Sequence, residues 1–349
     1  MGDKPMRILH LSEYGIFVGR KGDRIVVKHK KNKILEEPAG NVHVVVLSTR
    51  GLSASMDFIN LALKHNILVV FAAKSGRPLG FLVPFQAGSA IKTRRAQYEA
   101  YDTEKGFEIA KAFIYGKLYS QETLLRQLSR RAKARELENF AFLIESMDEI
   151  RDLRNKVLEV EYNNSPFKTR MQLISIEARA ADLYWECWKR FLPKELLFRG
   201  RIKHPDVEEE VDVVNMMLNY GYSILMSETW IAVFKAGLDP WAGFLHADNP
   251  RRPGLVYDLM EEFRVPVVDK AVLNLVDKLG LELLNYIEDG RLSKEGRKLV
   301  ASSVYERLNT FYSFSDRRLP LRAHILLQAR RLSLYLRGNT PQYKPFHIR

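Results

Sequence analysis

Residues 67–100 read ILVVFAAKSGRPLGFLVPFQAGSAIKTRRAQYEA, and within them the chain changes its hydrophobic period. Ile67 to Ala73 is a short unbroken apolar run, the pattern of a strand buried on both faces, and it closes at the Gly76-Arg77-Pro78-Leu79-Gly80 turn. From about Ala87 the spacing becomes helical and stays so. Upstream, Val42 to Leu47 is a second continuous apolar run. Between the two runs, Ser53 or Ser55 caps a predicted helix reaching Lys64, with apolar positions at Phe58, Ile59, Leu61, Ala62 and Leu63. Arg7 to Val18 and Arg24 to Lys28 are rich in β-branched and aromatic residues and are joined by the Gly-Arg-Lys-Gly-Asp turn at 19–23.

Downstream, predicted helices cover 90–116 and 119–160, broken near Asn163-Asn164-Ser165-Pro166, then 171–191, 209–236, 255–263, 267–289, 293–310 and 320–337. The expected fold class is α+β. A small β-rich N-terminal domain (1–86) precedes a large all-helical C-terminal domain (87–349). A length of 349 residues and an apolar content of 46% are ample for two buried cores.

Charge narrows the partners. Lys and Arg number 55 against 42 acidic residues, a net charge of +13 that points to polyanions. Arg126, Arg130, Arg131, Lys133 and Arg135 crowd two helical turns, and Arg317, Arg318, Arg322, Arg330, Arg331 and Arg337 load the C-terminal part. Either set alone reads as a solvated face; two together read as a phosphate-binding surface. No apolar run approaches the ~20 residues of a membrane helix, and the N-terminus lacks a secretory pattern. Cys187 is the only cysteine, so no internal disulfide forms, and a cytoplasmic location is expected. The chain has no phosphate loop of the Gly-x-x-x-x-Gly-Lys-Ser/Thr type, no Gly-x-Gly-x-x-Gly after a strand and no Gly-x-Ser-x-Gly elbow. ATP-driven, dinucleotide and serine-hydrolase chemistries lose ground.

Two stretches carry candidate chemistry. In the first, His246 sits in a loop marked by Asp248-Asn249-Pro250. Pro253 and Gly254 then open a helix with Leu255, Leu259 and Phe263 as its apolar stripe. Asp258 and Glu261, three residues apart, share one face beside that stripe. Read plainly, they are surface acids and His246 is a loop residue; read functionally, the imidazole meets the carboxylates. In the second, Glu177 aligns with Ala181, Tyr184 and Trp188 on a helix, so its carboxylate needs a partner: Arg179, another arginine, or a metal. Glu177, His246 and Glu261, with Asp258 beside them, supply oxygen ligands and one imidazole. That donor set suits Mg²⁺ or Mn²⁺ better than zinc, although His204 leaves a two-histidine zinc site open.

At these residues the sequence resembles the CRISPR-associated integrase family, whose members insert captured DNA into a CRISPR array. The resemblance rests on Ile176-Glu177-Ala178 with Tyr184-Trp185, on Asp212-x-x-Asn215-x-x-Leu218-Asn219-Tyr220-Gly221-Tyr222 and on Gly237-Leu238-Asp239-Pro240. It continues through Gly243-Phe244-Leu245-His246 and Leu255-Val256-Tyr257-Asp258-Leu259-Met260-Glu261. Leu47-Ser48-x-Arg50-Gly51 and Ser53 to Asp57 are similar too, so the likeness runs nearly end to end. It implies a metal held by Glu177, His246 and Glu261, with glutamate where many members have aspartate, and places Asp258 with the catalytic residues as a further acidic side chain supporting the metal or a ligand. It also implies Mg²⁺ or Mn²⁺ as cofactor and double-stranded DNA as substrate, the captured fragment and the repeat. A homodimer through the β-rich domains and a small companion adaptation protein bridging two dimers are implied as well. The expected reaction is strand transfer, a DNA 3′ hydroxyl attacking a phosphodiester at the repeat boundary. The alternatives are a structure-selective nuclease that uses water and a non-enzymatic architectural DNA-binding protein.

Overall fold

A computed structural model describes residues 8–48, 51–73, 78–83, 90–134, 139–163, 165–202, 211–246 and 252–348. The chain divides into two compact units, Met1–Ala90 and Ile91–Arg349.

The first unit holds strands β1 (Ile8–Leu11), β2 (Ile16–Lys21), β3 (Arg24–His29), β4 (Asn32–Pro38), β5 (Val44–Leu47) and β6 (Ser53–Ala54), helix α1 (Met56–Lys64), and strands β7 (Leu68–Ala72) and β8 (Pro78–Leu82). They form two four-stranded sheets, ordered β1-β5-β7-β8 and β4-β3-β2-β6. β1, β5 and β7 run parallel, so β5 and β7 need a crossover, and α1 lies within it. All four residues of β5 are buried, as an unbroken apolar run requires. Of the two serines that could cap α1, Ser55 does so, its side chain accepting from the Phe58 N–H at 3.1 Å. The sequence makes residues 76–80 a closing turn, of which 76 and 77 lie outside the described residues. Pro78–Leu82 instead forms edge strand β8, antiparallel to β7, a place where proline is tolerated because its missing N–H is not needed. Leu9, Val18, Ile25, Val45, Phe58, Leu61 and Val69 are among the residues of this unit's core.

The second unit is mostly helical: α2 (Ala90–Ala100), α3 (Glu104–Ala134), α4 (Phe140–Glu159), α5 (Pro166–Phe191), α6 (Val213–Lys235), α7 (Gly254–Met260), α8 (Lys270–Leu279), α9 (Lys294–Asn309) and α10 (Leu321–Leu336). Two short hairpins interrupt it, β9 (Ile287–Glu288) with β10 (Arg291–Leu292) and β11 (Phe311–Phe314) with β12 (Arg317–Pro320). Strands of two to four residues are too short to imprint a period on the sequence.

Sequence periodicity places a break between 116 and 119, but α3 runs straight through. Gly116 is a packing residue: a Cβ there would lie 2.8 Å from the Phe346 carbonyl oxygen. One break is at 101–103, where the Thr103 hydroxyl donates to the Ala100 carbonyl at 2.8 Å, and the helix expected over 119–160 is divided between α3, ending at Ala134, and α4, starting at Phe140. α3, α4 and α5 pack on one another, and α6 packs against α7, α9 and α10. α6 is buried nearly all round, from Val213 to Val233, which makes it the axis of the core. Asp212 caps it, accepting from the Asn215 N–H at 2.9 Å.

Past α7 the backbone widens into a π-turn, Arg264–Asp269, a feature found mostly at functional sites. Asp269 closes it from inside, accepting from Tyr184 at 2.7 Å and Tyr222 at 2.5 Å. The C-terminal segment then returns across the core. Phe346 stacks on Phe263 with centroids 4.8 Å apart, and the Phe346 N–H donates to Glu262 at 2.8 Å. Cys187 is buried, and burial pushes its thiol up to about 11. Among the described residues no helix is long and apolar enough to cross a membrane.

Candidate active site

α7 and the loop before it set the geometry. Asp258 is fully buried, and its carboxylate replaces solvent for the loop backbone. Oδ2 accepts from the Phe244 N–H at 2.6 Å and the Leu245 N–H at 2.9 Å, and Oδ1 accepts from the His246 N–H at 3.3 Å. Gly243 makes this grip possible, since a Cβ there would sit 2.8 Å from Asp258 Oδ2. From α2, Gln97 ties down the preceding turn, donating to the Asp239 carbonyl at 2.9 Å and the Ala242 carbonyl at 2.7 Å.

Asp258 Oδ1 also meets His246 Nδ1 at 2.6 Å. A carboxylate only accepts, so Nδ1 carries the proton and the Nε2 lone pair is left for a metal or an incoming proton. Nε2 has no hydrogen bond among the described residues. Burial disfavours the imidazolium, but the hydrogen bond to Asp258, its charge and that of Glu261 outweigh this and raise the His246 pKa. Removing the grip should cost activity without unfolding the protein. For Asp258→Asn we expect a roughly 10- to 100-fold fall in Mn²⁺ affinity and in turnover, read by titration calorimetry and product gels, with unchanged circular dichroism.

One turn on, Glu261 is 4% exposed and lies between two cations. Oε1 is 2.9 Å from Arg264 Nε and Oε2 is 2.8 Å from Lys117 Nζ. Burial alone would raise this carboxyl; the charges of Arg264, Lys117 and His246 hold it well below the usual carboxylate range. Arg264 also stacks over the Tyr222 ring at 4.8 Å.

From α5, Glu177 ion-pairs with the same Lys117 Nζ. The partner required for this carboxylate is therefore a lysine of α3 and not Arg179, which pairs with Glu149. Arg179 is two residues along the helix, about 200° round, and faces α4 instead. Burial works against the Lys117 charge, yet Glu261 and Glu177 raise its pKa, so the ammonium stays protonated. Nothing in the sequence around Lys117 marks it: it is one basic residue in a long helix, and only the packing of α3 on α5 and α7 brings it here.

Glu177 and Glu261 thus share one cation, while His246 and Asp258 form a hydrogen-bonded pair one turn away. Among the described residues, no group of three or more His, Cys, Asp or Glu side chains stands at metal-ligand spacing. The residue chemistry nevertheless fits a hard divalent ion. Glu261 Oε2 is a buried anionic oxygen held only by the Lys117 ammonium, and Glu177 and His246 Nε2 add an anionic oxygen and an imidazole nitrogen. His204, the residue that kept zinc open, lies outside the described residues.

The basic clusters are less free than the sequence implies. Arg126 pairs with buried Glu122 at 2.6 Å and Arg131 with Asp277 at 2.6 Å, while Arg135 lies outside the described residues. Arg322 makes a two-pronged pair with buried Glu228 at 3.0 and 3.2 Å. Arg130 is exposed on α3, and Arg317 and Arg318 are exposed on β12.

The family model for CRISPR associated protein Cas1 matches residues 9–306. The chain belongs to the Cas1 family. A CRISPR-associated endonuclease Cas1 of Archaeoglobus fulgidus is 37% identical over 333 residues, covering 93% of this chain and 95% of that protein. Among solved structures, a casposase bound to integration product shares 26% identity with a TM-score of 0.77, covering 97% of this chain and 93% of its own. A chain of a Cas6-RT-Cas1–Cas2 complex is similar in fold, with 22% identity and a TM-score of 0.74 over 99% of this chain and 36% of that one. The β-rich unit followed by a mostly helical one is the Cas1 arrangement, and all four candidate site residues fall inside the matched span.

Proposed function

We propose that this Cas1-family protein joins DNA strands in CRISPR spacer acquisition, transferring a DNA 3′ hydroxyl onto a phosphodiester at the repeat. The observation that carries this reading is the carboxylate pair of half-buried Glu177 and buried Glu261, joined through Lys117, beside a histidine whose Nε2 is freed by Asp258. Relatives named as endonucleases and the casposase bound to integration product support the reaction class.

A Mg²⁺ or Mn²⁺ held by Glu177, His246 and Glu261 would polarise the scissile phosphodiester and lower the pKa of the attacking hydroxyl. The chain's own residues do the rest. Asp258 fixes the imidazole tautomer and the loop backbone, so the donor atoms are set before DNA arrives. Arg264, held on the Tyr222 ring, places fixed positive charge next to the site, where the transferred group is anionic. One phosphodiester replaces another, so no nucleotide is consumed, in keeping with the missing phosphate loop.

A two-fold assembly fits the task, because inserting a duplex takes two attacks. The Cas1–Cas2 complex of similar fold motivates a small companion protein between two dimers. The second reading, hydrolysis by water at the same residues, is favoured by the endonuclease names of the relatives. A labelled duplex with free 3′ ends, mixed with a repeat-bearing plasmid, separates the two. Joined product that needs Mn²⁺ or Mg²⁺ and vanishes with chelator is expected. Cleavage without joining on every substrate would assign the hydrolytic reading, and binding without turnover under any metal would leave an architectural role.

A further inference from the structure

Both oxygens of Glu261 already face a cation, Oε1 facing Arg264 and Oε2 facing Lys117, and the Lys117 ammonium also holds Glu177. A divalent ion taking Glu177 and Glu261 as ligands needs oxygens at about 2.0–2.2 Å. It would then lie within about 4 Å of an ammonium on the same oxygens, where like charges in a buried site repel strongly. One of the two resident cations has to yield.

The geometry singles out which. Arg264 is braced by its stacking on Tyr222 and by its planar guanidinium. Lys117 has no such brace: its Nζ bridges the two carboxylates, 2.8 Å from Glu261 Oε2 and hydrogen-bonded to Glu177. Its charge also sits at the end of a flexible four-carbon stem.

We propose that Lys117 is the exchangeable counter-cation of the metal site. Its ammonium holds the Glu177 and Glu261 carboxylates together, and a divalent ion binds only by displacing it. Lys117 therefore weakens metal affinity while keeping the carboxylate pair assembled. This rests on Glu177 and Glu261 being the metal ligands of the proposed function.

The test compares Lys117→Met with the unaltered protein in Mn²⁺ binding, followed by electron paramagnetic resonance, and in thermal melting with and without Mn²⁺. We expect Lys117→Met to bind Mn²⁺ roughly tenfold more tightly, to melt lower in chelator, and to gain more from Mn²⁺ than the unaltered protein does. Lys117→Arg, which keeps the charge, should restore the weaker affinity. Lys117→Gln replaces Met if that variant does not fold. Unchanged or weaker Mn²⁺ binding in the neutral variants overturns the proposal. Glu177→Gln and Glu261→Gln serve as controls. If they lower Mn²⁺ affinity and Lys117→Met does not raise it, the exchange idea alone fails; if they leave affinity untouched, the metal assignment itself fails.

Discussion

Glu261→Gln is expected to reduce strand joining by roughly 10³-fold or more while leaving DNA affinity within about threefold. The substitution keeps the shape of the side chain and removes its charge. Two consequences follow from the neighbours. The proposed metal loses its most deeply buried anionic ligand, and Arg264 and Lys117 lose the carboxylate they share. Lys117 retains Glu177 and Arg264 retains Tyr222, so the fold persists with lowered stability. Joining assays on labelled fragments, anisotropy for binding, and circular dichroism at the assay temperature separate the effects. Joining at the unaltered rate by a folded Glu261→Gln protein would remove this residue from the site.

The adjacent residue is expected to behave in the opposite way. Glu262 points to the other side of the helix turn and anchors the C-terminal segment. It accepts from Tyr343 at 2.5 Å, Gln328 at 2.9 Å and the Phe346 N–H at 2.8 Å. Glu262→Ala strands these buried groups and opens a cavity under Phe346, which should cost about 3–5 kcal/mol. Denaturant melts will measure it.

Glu262 should also give stability a pH slope. Burial raises its carboxyl to about 7, against the hydrogen bonds that favour ionisation. Between the ordinary glutamate value and that raised one, the folded protein holds a proton that the unfolded chain has lost. Stability therefore falls as pH rises from about 4.5 to about 7, by roughly 3 kcal/mol in all. Glu262→Gln stays neutral and keeps an acceptor for the Phe346 N–H, so it should flatten this slope. A slope equal to that of the unaltered protein would show that another group titrates there.

The contrast between Glu261 and Glu262 marks how far a linear reading reaches. Helical spacing tells that the two face different ways, but not that one meets a lysine 144 positions earlier and the other a tyrosine 81 positions later. Gly116 shows the same limit: a residue that reads as a helix break is a contact for a returning chain end.

The sequence by itself determined the class of fold, the change from strand to helix from about Ala87, a serine cap at 53 or 55 and the four acid and imidazole candidates. Fold class and cap are written in neighbours a few positions apart, where backbone period and capping act; the candidates are marked by motifs that resemble a family and recur in order along the chain. Only the tertiary structure decided that Glu177 and Glu261 meet on Lys117, that Asp258 holds His246 through Nδ1, and that several arginines of the basic clusters are paired with buried acids. A charge finds its partner through space, and the energy of burying it is set by whatever the packing of distant helices places within a few ångströms.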